Sequence, residues 1–368
     1  MKPLAAIGVM SGTSMDGIDV AWIRSDGEDF VAAGPSAGFS YPALVAAELR
    51  AVVADPARAA GPLAELERAV TDAHVAAVEQ FLARFGLDKR EIAVVGLHGQ
   101  TMLHRPRDGF TRQLCDGARA AARLGLDVVC DFRSADVAAG GEGAPLIPLY
   151  HAAIAAGLDK PLMLLNWGGV GNVTYLGANG EILAFDTGPA NALIDDFLRH
   201  RLGLAFDEGG RLAASGRVHD ELVAALIVDS YFSRPAPKSL DRNHFHAALA
   251  AVAGLSDADG AATLAAFTVE ATAAALRQVP EPPKRWIVCG GGRKNAELMR
   301  RLGARLNAPV EPVEAIGFDG DAIEAQGFGY LALRAVRGLP LSLPTTTGVW
   351  APMTGGVHWR VGSGVGAP

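Results

Sequence analysis

A chain of 368 residues is too long for one ordinary hydrophobic core, so two domains of roughly 150 to 200 residues each are expected, with a ligand cleft between them. Half of the residues are apolar, a fifth are charged, and 44 glycines are scattered through many short clusters, which excludes a disordered or fibrous chain and points to a globular α/β enzyme. The formal charge of −7 argues against the concentrated basic face that nucleic acid or anionic lipid requires, so neither is expected as a partner.

The apolar run at the start is too short for a secretory signal, and no stretch reaches the roughly 18 consecutive apolar residues of a spanning helix, so a cytoplasmic protein is expected. Leu4 to Met10 reads as a strand, Ser11 to Gly17 as a glycine-bearing turn and Ile18 to Ile23 as a second strand. Helical periodicity follows over Ala43 to Val53 and Leu63 to Phe85, and Ile92 to Leu97 returns as a buried strand. Cys115, Cys130 and Cys289 lie far apart in sequence and read as reduced core thiols. Near Ser134 to Ala144 alanine and glycine replace regular periodicity, and the domain boundary is placed there: an N-terminal lobe over 1–134, to which 345–368 returns, and a C-terminal lobe over 135–344.

The strand–turn–strand pattern then repeats. Leu162 to Asn166 is a strand, Trp167 to Asn172 a small-residue loop, and Val173 to Leu176 and Ile182 to Phe185 pair around a turn at Ala178-Asn179-Gly180. Helices are expected at Ala190 to Leu202, Asp220 to Val228, Ala261 to Gln278 and Asn295 to Leu306, with a strand at Trp286 to Cys289.

Backbone amides hold a phosphate chain where glycine or small hydroxyl residues let it approach closely. Ser11, Gly12, Thr13 and Ser14 have that character, and Asp16 follows closely enough to reach Mg²⁺ or its water shell, although a plain β-turn would read the same way. Gly168, Gly169 and Asn172 in the second loop could clamp a triphosphate from the opposite side. Gly290, Gly291 and Gly292 run from a strand into the helix that Asn295 opens, and three consecutive glycines imply a bulky neighbour, for which adenine-ribose is the candidate. Neither a Walker loop nor a Rossmann fingerprint is present. The order hairpin, hairpin, strand-triglycine-helix resembles the phosphate and adenosine elements of the actin, hexokinase and heat-shock chaperone ATPase superfamily, which implies a two-lobed α/β fold with a duplicated hairpin domain and a central cleft.

Asp186 stands at the end of an apolar strand before a tight turn and is read as the general base, with helix capping near Ala190 as the alternative. His98, Gln100 and Thr101 offer an imidazole, an amide and a hydroxyl for reading sugar hydroxyls. Arg133 and Asp136, followed by the glycine loop Gly140 to Gly143, form a polar segment that could carry substrate contacts and a hinge, while an ion pair of Arg133 with Asp131 or Asp136 is an equal reading.

Taken together, GVMSGTSMDGIDVA, GLHGQT, DFRSADVAAGGEGAPLIP, NWGGVGNVT, FDTGPAN, GGGRKN and DAIEAQGFGYLA resemble the anhydro-N-acetylmuramic acid kinase family, and LPTTTGV near the end also fits. The resemblance implies an ATP- and Mg²⁺-dependent enzyme of cell-wall recycling that opens the 1,6-anhydro ring with water while phosphorylating the 6-oxygen. It implies that Asp186 is the base for that water, that Gly12 through Met15, Gly17, Ile18 and Asp19 form the phosphate loop, that Glu324 is an acidic position near the sugar, and that the protein is a homodimer. One loop departs from the family run: Lys238, Ser239 and Arg242 match it, but Leu240, Asp241 and Asn243 replace threonine, glycine and glutamate, which puts a catalytic role of this loop in doubt. A kinase for another sugar and a non-catalytic actin-like ATPase are the competing readings.

Overall fold

The computed structural model describes residues 1–12, 15 and 17–362. The chain divides into two compact units, Met1–Gly157 with Ala322–Pro368, and Leu158–Asp321.

The first unit is built on β1 (Leu4–Ser11), β2 (Ile18–Ser25), β3 (Val31–Phe39), β4 (Ile92–Arg105), β5 (Phe110–Leu114) and β6 (Val128–Cys130). Strands β1, β2 and β3 form an antiparallel meander, β4 runs parallel to β1 on its other side, and β6 runs parallel to β4. A short strand, Val357–Trp359, closes the edge antiparallel to β6, and β5 pairs with the far half of β4. Alternation along β1 divides its side chains between two faces. Ile7 and Val9 join Leu66, Val70 and Phe81 in one core cluster under the helix Ala64–Phe85. Gly8 faces the other way, where a Cβ would come within 1.8 Å of the Ala325 carbonyl oxygen, and its register partner Gly96 would meet the Phe328 carbonyl oxygen at 2.2 Å. The helix Ile323–Val336 therefore lies with its backbone directly on the sheet.

The second unit repeats this topology with β7 (Leu162–Trp167), β8 (Val170–Leu176), β9 (Ile182–Pro189), β10 (Trp286–Cys289) and β11 (Val310–Pro312). The order β11-β10-β7-β8-β9 mirrors β6-β4-β1-β2-β3, with two antiparallel hairpin pairings on one side and two parallel pairings on the other. The duplicated hairpin domain is thus present once in each unit. Its core gathers Leu165, Trp167, Phe185, Phe197, Leu264, Phe267 and Leu298 from the sheet and the helices Asn191–Leu202, Asp257–Ala273 and Ala296–Leu306.

Several boundaries differ from the sequence reading. The units part at 157/158 and rejoin at 321/322, not at 134/135 and 344/345, because the helix Ile323–Val336 belongs to the first sheet and Ser134–Ala138 is a short helix inside the first unit. Strand β4 continues through His98 to Arg105, since β5 pairs with that extension. The helix expected at Ala261 begins at Asp257, where the Ser256 hydroxyl accepts from Asp259 N at 3.1 Å, and gives way after Ala273 to a 3-10 turn. Among the described residues no helix is long and apolar enough to cross a membrane. Cys115, Cys130 and Cys289 form no disulfide.

Candidate functional site

In the second unit the six-residue loop expected at Trp167 to Asn172 contracts to a tight turn at Gly168-Gly169, with Val170 the third residue between the paired Trp167 and Gly171, and Asn166 pairs with Asn172. This turn caps the helix Asn191–Leu202, whose first amides need acceptors. The Gly168 carbonyl accepts from Asn191 N at 3.1 Å, and the Gly169 carbonyl accepts from Ala190 N and Ala192 N, both at 3.2 Å. In a planar trans peptide the N–H points opposite to the C=O. The amides of Gly169 and Val170 are therefore directed away from the helix, at a place where Gly169 is exposed. Two outward amides on a glycine turn are a ready anion contact.

Asp186 does not end its strand; it lies inside β9, in register with Asn172, which itself faces Asn166. Cross-strand partners share a face, so Asn166, Asn172 and Asp186 form a polar row across three strands, one pair removed from the glycine turn. The capping alternative fails, since the Gly168-Gly169 turn and not the Asp186 side chain meets the helix amides. What holds Asp186 is the segment 231–240. Tyr231 Oη donates to the Asp186 carbonyl at 2.6 Å, Asp186 N donates to the Lys238 carbonyl at 2.9 Å, and Leu240 N donates to Asp186 Oδ2 at 2.8 Å. The Lys238 and Leu240 contacts use their backbone atoms, so the leucine at 240 costs this arrangement nothing.

The triglycine is packed from within the protein. A Cβ at Gly290, which has φ +74°, would lie 2.2 Å from Asn166 Oδ1, and one at Gly292 would lie 2.5 Å from Trp167 Cβ. The bulky neighbour inferred for these two positions is therefore the end of β7. Gly291 is exposed, and its nearest atom to an added Cβ is Asn191 Nδ2 at 3.6 Å. Asn295 accepts from Leu298 N through its side chain at 3.0 Å and opens the following helix. Buried Arg293 braces the loop by donating to the Gly290 carbonyl (3.0 Å), Glu314 (2.8 Å) and Asp321 (2.9 Å). Asn166, Asn191 and Arg293 lie inside the quoted motifs but were given no role, and Tyr231 lies outside them, because polar residues in strands and helices announce a role only through their partners.

In the first unit Thr13, Ser14 and Asp16 lie outside the described residues. Ser11 ends β1 buried, Ile18 opens β2 buried, Asp19 on β2 is exposed, and Gly12 and Gly17 are half-buried between them. Met15 adopts φ +55°, and its amide donates to the Gly12 carbonyl at 3.2 Å. Beneath this turn runs a buried polar chain. Gln100 Nε2 donates to the Gly12 carbonyl at 3.1 Å, and Tyr41 Oη donates to Gln100 Oε1 at 3.2 Å. His74 Nε2 lies 2.8 Å from Tyr41 Oη and 3.2 Å from Ser11 Oγ, and Ser11 Oγ donates to the Gly99 carbonyl at 3.1 Å. With the tyrosine and serine protons already given away, His74 Nε2 is the donor. Burial pulls its pKa down to about 4, so the ring is neutral. Gln100 is thus fully buried with both ends of its amide engaged, and it supports the turn instead of reading sugar hydroxyls as expected.

The remaining expected contacts are also structural in large part. Arg133 donates to the Gly143 carbonyl at 2.6 Å and through Nη2 to His98 Nε2 at 3.0 Å. His98 is buried against Phe328, ring centroids 4.5 Å apart, and burial, then the charge of Arg133, holds its pKa well below the ordinary range. Asp136 is buried and accepts from Gly143 N at 2.7 Å, Thr347 Oγ1 at 2.6 Å and Ser342 Oγ, so its carboxylate ties the glycine loop to the LPTTT segment. That loop sits within the first unit and not at a lobe junction. Thr101 accepts from Gln113 Nε2 at 3.3 Å on β4, and Glu324 stands exposed in the first turn of the helix Ile323–Val336. Among the described residues no three His, Cys, Asp or Glu side chains gather as a metal cage.

Two hairpin sheets of one topology, each opening on a glycine turn, define the actin-like class of sugar kinases and ATPases. Residues 4–360 match the family model described as anhydro-N-acetylmuramic acid kinase. A curated relative of that name from Rhodospirillum rubrum is 51% identical over 98% of this chain and 96% of its own, and one from Acidiphilium cryptum is 54% identical over 97% and 98%. The chain belongs to the anhydro-N-acetylmuramic acid kinase family. Among solved structures, the (R)-2-hydroxyglutaryl-CoA dehydratase component A of Acidaminococcus fermentans aligns over 91% of this chain and 99% of its own, with 11% identity and a TM-score of 0.49.

Proposed function

We propose that this kinase transfers the γ-phosphoryl group of ATP to the 6-oxygen of 1,6-anhydro-N-acetylmuramic acid as water opens the anhydro bridge, giving N-acetylmuramic acid 6-phosphate for peptidoglycan recycling in the cytoplasm. The observation that carries the reading is the position of Asp186, fixed through its carbonyl, amide and carboxylate and in register beside the Gly168-Gly169 turn.

In this reading the Asp186 carboxylate takes a proton from water as that water's oxygen bonds to the anomeric carbon. The bond from the anomeric carbon to O6 breaks, O6 bonds to the γ-phosphorus, ADP leaves, and the proton passes from Asp186 to solvent. The outward amides of Gly169 and Val170 supply positive ends of dipoles to phosphate oxygens, which is the chief help such a transfer needs. Asp16 is the carboxylate that would hold Mg²⁺ or its water shell, and the ion would supply neutralisation of charge on the triphosphate. Ser11 to Asp19, with Gly290 to Gly292 and Asn295, are the proposed nucleotide elements, the open face of Gly291 being the part available to adenosine. Thr101 and Glu324 are retained as sugar contacts, and a homodimer as the assembly.

Turnover in ¹⁸O-water tests the chemistry directly: mass spectrometry of the fresh product should find one heavy oxygen on the anomeric carbon and none in the phosphoryl group. Label in the phosphate, or no sugar-dependent turnover, would overturn the reading. Asp186→Asn should retain ATP binding and lose about 10²- to 10⁴-fold in kcat; a near-wild-type rate removes Asp186 as the base.

A further inference from the structure

The segment that grips Asp186 is itself closed by one buried charge. Lys238 is 3% exposed, its Nζ donates to the Tyr231 carbonyl at 2.9 Å, and it lies 4.4 Å from the centre of the Tyr231 ring and 5.9 Å from that of Phe185. Tyr231 and Lys238-Leu240 are the two arms that contact Asp186. Between them the chain is held separately, by Gln278, which accepts from Ala236 N at 3.1 Å and donates to the Arg234 carbonyl at 3.1 Å. The Tyr231 carbonyl also accepts from Arg234 N at 3.2 Å, which ties the brace to the first arm, and the Lys238–Tyr231 bond ties the second arm to that same carbonyl.

An apolar side chain would fill the same slot without the cost of desolvating an ammonium. Burial, with Arg234 nearby, pulls the Lys238 pKa down to about 8, and Asp186 is the anion that opposes the shift. The carbonyl and the two ring faces compensate the charge only in part, since aromatic faces attract a cation by a modest amount. A residue kept charged at that cost, one bond from each arm, acts on what the arms hold.

Resting on the assignment of Asp186 as base, we propose that Lys238 is a positioning residue: its ammonium locks the Tyr231 and Leu240 arms together, so that the Asp186 carboxylate is presented in one orientation. The retained lysine, and not the altered residues at 240, 241 and 243, is then the working part of this loop. The divergence of those three side chains leaves the grip intact because Leu240 acts through its amide.

Lys238→Met keeps the length and apolar stem and removes the charge. Its kcat should fall about 10²-fold, the loss typical of a reacting group displaced by an ångström, with KM for ATP unchanged. In the Asp186→Asn background the same substitution should cost nothing further, because a positioning effect vanishes with the group positioned. A Lys238→Met enzyme that is as fast as wild type, or that loses the same factor again in the Asp186→Asn background, overturns the proposal. If the methionine variant does not fold, Tyr231→Phe decides: it removes the 2.6 Å bond to Asp186 while leaving the ring and carbonyl that Lys238 uses. A normal kcat for Tyr231→Phe overturns the proposal equally. Failure of the base assignment is distinguishable, since it appears as wild-type turnover in Asp186→Asn itself.

Discussion

The two glycine turns follow strands of the same topology, yet they are held by opposite means. The first is supported from below by side chains: Gln100 holds the Gly12 carbonyl, Tyr41 holds Gln100, and neutral His74 donates within the chain. The second is held by main chain, its carbonyls capping the helix Asn191–Leu202, with Asn191 Nδ2 adding one bond to the Trp167 carbonyl at 2.8 Å. A support made of side chains can be broken by one substitution or one proton. A support made of backbone is vulnerable chiefly where a Cβ would displace it.

The largest effect should come from adding that Cβ. Gly290→Ala meets Asn166 and Trp167 at 2.2 and 2.7 Å in a left-handed conformation, and we expect a loss of about 2–4 kcal/mol in urea unfolding. Gln100→Leu should follow, at about 1–3 kcal/mol for each partner left without its bond in a dry interior, with a raised KM for ATP. The matching change in the second unit, Asn191→Ala, removes one side-chain bond while the backbone caps remain, so about 0.5–1.5 kcal/mol is expected. If Asn191→Ala proves the costlier of the two, the contrast drawn between the turns is wrong.

Acid offers a graded version of the same comparison. Burial pulls His74 and His104 down to about 4 and His151 to about 3, all in the first unit, against an ordinary value of 6.5. Below 6.5 the unfolded chain takes up protons on these rings while the folded chain does not, so stability is fully present above 6.5 and is lost as pH falls towards 4. Hydrogen exchange should therefore show β1 losing protection at a higher pH than β7; simultaneous loss would mean that the buried histidines do not set the acid limit. The smallest effect is reserved for Gly291→Ala, which has room for its methyl group and should leave the midpoint of unfolding unchanged while raising KM for ATP.

Much of this was legible in the residues. Alternating apolar runs ended by glycine placed both hairpins, and Trp286 to Cys289 followed by three glycines placed the third element. The reach of β4 through His98-Gly99-Gln100-Thr101 was not, because polar residues in a row read as a loop unless their partners are known, and those partners, Tyr41, His74 and Arg133, come from elsewhere in the chain. For the same reason Gln100 and Asp136 were recognisable as important but not as structural. The return of the chain at Ala322 was hidden in the helix Ile323–Val336, whose spacing shows a buried helix without saying which sheet it covers. The paired glycines at 8 and 96, which leave room for that backbone, were the available clue.

That helix imposes an order on synthesis. Gly8 and Gly96 are made early, while the backbone they accommodate emerges only after all of Leu158–Asp321 has been translated. The later unit can finish folding on the ribosome first, and one side of the earlier sheet stays wet and uncovered until residue 336 has cleared the exit tunnel. Truncation before that point should leave a soluble, folded second unit attached to a sticky first one, the form in which a stalled nascent chain would call on a chaperone.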